Sequence, residues 1–335
     1  MSEPTYPSVT VCIPTFNQAS FLIQAVESVL NQKYPNVKIF ISDDASNDNT
    51  QELMRQYANE PRIQYYRQPQ NLGISANNNW LLSQPETEYI IRLDSDDLLL
   101  PDYTNTLINL FEQYLDAGYA HVAVNEIDSK NTLRRVRRLF GRDLYQDSVT
   151  ALKAGLTGYR VAANICMFKR SVLHEMNFYK GGMNFCEDWE LSVRIADAGY
   201  GNIYYPEPLA CYRVWTDHGN VRASRKLTEI RAAYELYEET YMPIYKKRKW
   251  NTVSIENQKT TYALNHSICL AQNNFNQDDK KQIRNELKRF TDSKALSLKL
   301  SLIDLKLAWL LHTSNSSKLF LKDLLKSIHR FINKK

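Results

Sequence analysis

The chain has 335 residues, 43% of them apolar and 24% charged, with a formal charge of +5. That composition excludes a disordered or fibrous chain and suits one large α/β domain with an appendage, or two modest domains. The mild positive excess does not by itself imply nucleic acid, and no run of about 18 apolar residues exists that is expected to span a bilayer.

The first residues, Met1 to Pro7, are polar and lack the basic and apolar regions of a signal peptide. Val9 to Ile13 reads as a buried strand closed by Pro14, followed by a loop through Thr15, Phe16 and Asn17. Apolar residues recur at helical spacing from Ser20, a candidate N-cap, to Leu30. Val37 to Ile41 is a second strand and runs into Ser42-Asp43-Asp44-Ala45-Ser46. Thr50 to Ala58 reads as a helix, Ile63 to Tyr66 as a strand, and Ser75 to Ser83 as a helix after the turn Asn71-Leu72-Gly73. A fourth strand, Tyr89 to Leu93, ends in Asp94, Asp96 and Asp97. Acids crowded at the end of a buried strand are costly without a partner, so this cluster is expected to hold a cation.

Past Pro101 a helix is expected over about 103–116, then a strand over 121–125. Arg134, Arg135, Arg137, Arg138 and Arg142 form a local basic run, which reads as a solvated face or as a site for an anionic acceptor or lipid diphosphate. A strand is expected over 161–168. Glu187, Asp188 and Glu190 lead a helix, where acids favour the helix dipole whatever else they do. Short strands follow at 202–205 and 209–213, then a loop with Trp215 and His218. The five cysteines are odd in number and include no CxxC, which suits reduced thiols in a reducing compartment.

From about Lys226 Gly and Pro almost vanish and long helical patterns take over. The expected division is therefore 1–225 and 226–335. In the last stretch Leu321, Leu324, Leu325, Ile328, Phe331 and Ile332 fall on one arc and Lys318, Lys322, Lys326, Arg330 and Lys334 on the other. Such a helix either packs on the globule or lies on an anionic membrane surface.

Strands alternating with helices predict a doubly wound, mainly parallel sheet, whose ligands sit beyond the carboxyl ends of the strands. Thr15/Asn17, Asp43/Asp44 and Asp94/Asp96 all fall at such ends. Neither a GxGxxG nor a GxxxxGK[ST] loop follows the strands, so phosphate must be neutralised otherwise, and carboxylates suit Mg²⁺ or Mn²⁺ for that task.

Taken in order, Val11 to Asn17, Ile41 to Ser46, Asn71 to Ala76, Leu93 to Asp97, Glu187 to Leu191, and Tyr212-Arg213 with His218 resemble the motifs of glycosyltransferase family 2. The resemblance covers roughly residues 7–225. It implies a GT-A fold, which is α/β and Rossmann-like with helices flanking the sheet, here with a C-terminal α-helical appendage. It also implies an inverting, metal-dependent glycosyltransferase using a nucleotide-sugar, foremost a UDP-sugar, and a saccharide or lipid-linked saccharide acceptor. Thr15, Asn17, Asp43, Asp44, Asn71, Gly73, Asp94 and Ser95 would line the donor site. Asp96 and Asp94, with His218 as a weaker candidate, would hold Mn²⁺ or Mg²⁺. Asp188 would be the general base, with Glu187 the runner-up. The sequence departs from the family at Asn78, where an Arg is common, and at His218, which lies two residues late. The expected setting is bacterial surface polysaccharide synthesis in the cytoplasm or at the cytoplasmic face of the inner membrane, with no nucleic acid partner. A sugar-phosphate nucleotidyltransferase and a catalytically silent scaffold of a membrane assembly complex are the alternative readings.

Overall fold

The computed structural model describes residues 6–183, 185–215, 225–272 and 274–307. His218 and residues 318–335, over which a helix is expected, lie outside the described residues. The chain divides into two compact units at 216/217.

The first unit runs β1 (Val9–Thr15), α1 (Ala19–Leu30), β2 (Val37–Asp43), α2 (Thr50–Met54), β3 (Ile63–Arg67), α3 (Ile74–Ser83), β4 (Tyr89–Arg92), β5 (Leu98–Leu99), α4 (Tyr103–Gln113), β6 (Ala117–Ile127), β7 (Leu133–Arg137), β8 (Tyr145–Gln146), α5 (Ser148–Gly155), β9 (Cys166–Lys169), α6 (Arg170–Glu175), α7 (Glu187–Asp197) and β10 (Gly201–Arg213). All ten strands join one sheet, in the order β3-β2-β1-β4-β9-β6-β10-β5, with β7 on β6 and β8 on β10. Strands β3, β2, β1 and β4 are parallel, whereas β9 runs antiparallel to both β4 and β6.

Alternation along the strands fills both faces of the sheet. Val11, Ile13, Ile39, Ile41 and Ile91 belong to one buried cluster with Leu22, Val26 and Val29 of α1 and Leu107 and Phe111 of α4. Cys12, Phe40, Ile90, Cys166 and Phe168 belong to the other, with Leu81 and Leu82 of α3 and Leu191 and Ile195 of α7. Arg92 pairs with Cys12 on one side and Cys166 on the other, and Cys166 pairs with His121. Directly opposed residues project to the same face, so Arg92 stands on the face that carries α3 and α7. Gly118 lets α7 approach β6 closely, since a Cβ there would lie 2.8 Å from the Ile195 side chain.

The second unit is helical: α8 (Lys226–Glu235), a π-helical turn (Leu236–Tyr241), α9 (Met242–Lys247), α10 (Val253–His266), α11 (Gln277–Phe290) and α12 (Lys294–Asp304). Phe290 lies stacked 5.0 Å from Tyr262 and edge-on 5.2 Å from Tyr234. The buried Lys259 ammonium is held by Glu238 at 2.5 Å and Glu256 at 3.2 Å.

Several local expectations are corrected. Helix α1 begins at Ala19, so Ser20 is inside it and Gln18 precedes it without a side-chain cap. Residues 161–165 are not strand, and 201–213 is one bulged strand rather than two. Strands β5, β7 and β8 and helices α5 and α6 were not anticipated.

Candidate active site

Strand β1 lies between β2 and β4, so three carboxyl ends stand side by side about 4.8 Å apart. At the β4 end the acid loop begins. Arg92 is buried and its guanidinium donates to Asp94 Oδ1 at 3.0 Å, to Asp188 Oδ1 at 2.5 Å and to the Tyr179 hydroxyl at 3.3 Å. Burial works against its charge, but Asp188 and Asp94 more than offset this and hold its pKa well above the ordinary value. The acid cluster therefore has an internal cation, and its charges do not by themselves require an external one.

The other loop acids have different surroundings. Asp96 accepts from Trp215 Nε1 at 2.6 Å. Asp97 is buried and accepts the Arg213 backbone N–H at 2.8 Å, while burial, with Asp96 and Asp94 nearby, pushes its carboxyl well above the usual range. Arg213 is also buried. It donates through Nε to the Asp96 carbonyl at 2.8 Å and through Nη1 to the Asp128 carbonyl at 2.6 Å, and packs over Phe21 at 4.7 Å. Ser95 is buried and donates to Gln18 Oε1 at 2.5 Å, so its hydroxyl ties the acid loop to the start of α1.

Asp188 lies in the first turn of α7, and its second oxygen accepts from Asn164 Nδ2 at 2.7 Å. The Tyr179 hydroxyl also bonds to this carboxylate, whose lone pairs number about four. Glu187 is partly buried, and burial together with the Asp188 charge raises its carboxyl above the ordinary range. Helix α7 is anchored by Trp189 Nε1, which donates to the Gly155 carbonyl at 2.8 Å. The turn before it, Cys186, takes a left-handed φ of 62°.

At the ends of β1 and β2 a second network forms. The Asp44 N–H donates to the Thr15 carbonyl at 2.9 Å. The Asn17 N–H donates to Ser46 Oγ at 2.9 Å, and Asn17 Oδ1 accepts from the Asn47 N–H at 2.7 Å. Asp43 is buried and accepts from Ser46 N–H at 2.9 Å and the Tyr65 hydroxyl at 2.6 Å. Asp44 accepts the N–H groups of Leu72 (2.7 Å) and Gly73 (3.0 Å), and its carbonyl accepts from Asn71 Nδ2 at 3.1 Å. Gly73 has φ of 82°, which an L side chain rarely adopts. The Thr15 hydroxyl is buried without a partner among the described residues, a cost relieved by a ligand that bonds to it.

Helix α3 links the two networks. Asn77 Oδ1 accepts from the Ser42 hydroxyl at 2.6 Å, and Asn79 both donates to and accepts from the Tyr179 backbone at 2.9 and 3.0 Å. Between them Asn78 is buried with Oδ1 unpartnered among the described residues.

Thr15, Asn17, Asp43, Asp44, Asn71 and Gly73 thus share one hydrogen-bonded wall, and Asp94 and Asp188 share one cation. His218 falls outside the described residues. Among the described residues no group of three or more His, Cys, Asp or Glu could close around an ion. Asp94 and Asp96 still offer an all-oxygen pair beside strand ends. That set fits a hard cation taking the rest of its coordination from substrate phosphates. Arg92, Asn164 and Tyr179 were missed as site residues. A lone Arg inside the apolar run Tyr89 to Leu93 was the available signal for the first; nothing marked the other two.

A family model described as glycosyl transferase family 2 matches residues 10–176. The GalNAc(5)-diNAcBac-PP-undecaprenol β-1,3-glucosyltransferase of Campylobacter jejuni is 32% identical over 175 residues, 51% of this chain and 55% of that protein. The chain thus spans about half of that relative. Residues 1–349 of TarS from S. aureus, solved with UDP-GlcNAc, superpose with a TM-score of 0.64 at 12% identity, covering 90% of this chain and 88% of that one. The mannosyltransferase PcManGT of Pyrobaculum calidifontis, solved with GDP-Man and Mn²⁺, gives 0.57 at 15% identity, covering 99% and 89%. At these identities the two structures bear on the fold alone.

Proposed function

Because this chain belongs to glycosyltransferase family 2, we propose that it transfers a sugar from a nucleoside-diphosphate sugar to an acceptor hydroxyl, with inversion at the anomeric carbon. The observation that carries the proposal is Arg92, which holds one acid of the loop after β4 and the first-turn acid of α7 on a single guanidinium. This supports the reading in which Asp94 serves the donor and Asp188 the acceptor, both held by one guanidinium at the strand ends, as a single displacement demands.

Thr15, Asn17, Asp43 and Asp44, with the Asn71–Gly73 turn, form the wall for the nucleoside; Ser95 shapes the acid loop from behind. Asp94 and Asp96 would hold Mn²⁺ or Mg²⁺, which supplies Lewis-acid stabilisation of the leaving diphosphate. Asp188 removes the proton of the attacking hydroxyl, oriented for that by Arg92 and Asn164. A second reading, with Glu187 as proton acceptor, is favoured by its raised pKa, since a base works best near the operating pH. By the names of the comparison proteins, a UDP-sugar donor and a lipid-linked saccharide acceptor are proposed, in bacterial surface polysaccharide synthesis at the cytoplasmic face of the membrane. No helix of the described residues is long and apolar enough to cross a membrane.

Asp188→Asn and Glu187→Gln separate the two readings. The variant at the true base is expected to lose about 10²–10⁴-fold in turnover with donor affinity kept, read by nucleoside diphosphate release from a panel of nucleotide-sugars. Release of pyrophosphate from nucleoside triphosphate and sugar phosphate would instead identify a nucleotidyltransferase.

A further inference from the structure

We propose that the β6–β7 hairpin, with the loop that follows it to Phe140, is a docking surface for an anionic phospholipid bilayer. All five residues of β7 are exposed. Leu133 is 57% and Phe140 89% exposed. A hydrophobic ring held this far into water gives the fold nothing, whereas bilayer interfaces favour aromatic and aliphatic tips in this position. Around them stand Arg134, Arg135, Arg137 and Arg138. Glu126 takes up Arg135 and, more loosely at 3.8 Å, Arg137; Glu207 takes Arg138. Arg134 lies opposite the register shift of the β6–β7 ladder and forms no ion pair among the described residues. The basic charge exceeds the local acids, and guanidinium forks match phosphate oxygens.

Arginines along an edge strand also discourage pairing with a second copy. That purpose explains the charges but not the apolar tips. Nucleic acid would use the arginines and could stack a base on Phe140, yet it has no use for the exposed aliphatic Leu133 and Val136 interleaved with them. A bilayer uses both.

The hairpin is not remote from the crevice. Strand β7 pairs with Val124–Ile127, the carboxyl end of β6. The Asp128 carbonyl at the hairpin turn accepts from the same buried Arg213 that bonds the Asp96 carbonyl. Seating the hairpin on a bilayer therefore holds the acid loop next to the lipid headgroups.

The test is sedimentation of the full chain with vesicles of phosphatidylcholine alone and with about a third phosphatidylglycerol, the anionic fraction then being titrated. The parent is expected to partition onto the anionic vesicles. Arg134→Gln/Arg137→Gln/Phe140→Ser is expected to lose at least about tenfold, each basic residue near such a surface being worth about fivefold. Phe140→Ser alone, which touches only an exposed ring, is expected to lose several-fold with an unchanged melting midpoint, and decides the matter if the triple variant fails to fold. Lys322→Gln/Lys326→Gln/Arg330→Gln leaves the hairpin unchanged and is expected to keep most of the binding; loss of all binding in this variant overturns the proposal. Equal sedimentation of parent and both hairpin variants overturns the proposal, as does equal binding to neutral vesicles. A single-stranded oligonucleotide that binds the parent and is lost in the hairpin variants, with vesicle binding kept, also overturns it.

Discussion

Arg92 is the residue on which both halves of the site depend. It is buried, and it bridges Asp94 and Asp188 at 3.0 and 2.5 Å. Removing one member of a buried ion network leaves uncompensated charge, a loss of about 3–5 kcal/mol. Arg92→Met is therefore expected to lower the unfolding free energy by that much, read from denaturant titration, and to abolish transfer. Arg92→Lys keeps the charge but not the fork, and one ammonium cannot hold both carboxylates in the same geometry. It is expected to regain most of the stability and little of the turnover; full recovery of both would show that charge alone matters. The acids themselves were legible in the sequence because they follow apolar runs. Their partner was not, because an Arg in a strand is ordinarily read as a break in the pattern rather than as its purpose. The roles of Asn77 and Asn79 were illegible for a related reason: their bonds run to Ser42 and to the Tyr179 backbone, and nothing along the chain announces those neighbours.

At the scale of elements, the parallel half of the sheet was readable from β1 to β4, since β1, β2 and β4 are buried and mostly apolar and the edge strand β3 is short and rich in Ile and Tyr. The mixed half was not. Strand β7 is all exposed and rich in arginine, so it shows neither alternation nor an apolar run. Val161, Ala162, Ala163 and Ile165 are buried and apolar yet lie before the strand, because burial alone does not distinguish strand from loop. One contact between elements bears directly on the site. Helix α7 carries Asp188, and its distance from β6 is set at Gly118, where an added Cβ would meet Ile195 at 2.8 Å and Tyr200 at 2.9 Å. Gly118→Ala is expected to cost about 1–3 kcal/mol by overpacking and to depress turnover more than donor affinity, because it moves α7 and leaves β1 and β2 in place. Thermal unfolding and a titration with the donor nucleotide check the two halves of that expectation.

For the whole molecule, acid is expected to weaken both units, the first through the buried His121 and the second through the partly buried His266. Burial, with Arg142 nearby, holds His121 well below its ordinary value, and burial with Lys226 lowers His266 to about 4. The unfolded chain takes up these protons near pH 6.5, whereas the folded chain refuses them. Stability is thus complete above about pH 6.5 and falls by about 1.4 kcal/mol per pH unit and per histidine as pH drops, for His266 until about pH 4. Asp97 and Glu187 act in the opposite sense, since their raised folded values favour protonation of the native state. His121→Phe and His266→Gln are each expected to flatten the decline between pH 7 and 5, read by denaturant midpoints. Slopes matching the parent's would refute this.

Arg213 gives the site a consequence in time. The acid loop near residue 95 is held by a guanidinium near the last strand of the first unit, with Asp97 buried against its backbone. A ribosome adding about 5–20 residues per second needs on the order of ten seconds to travel from one to the other. Throughout that interval the parallel half of the sheet can assemble and Arg92 and Gln18 can hold Asp94 and Ser95, but Asp97 and the Asp96 carbonyl lack the bonds that Arg213 makes to them. A nascent chain arrested before β10 would leave Asp97 without the backbone N–H it accepts, so the loop after β4 takes its final form only once the last strand of the first unit has been made.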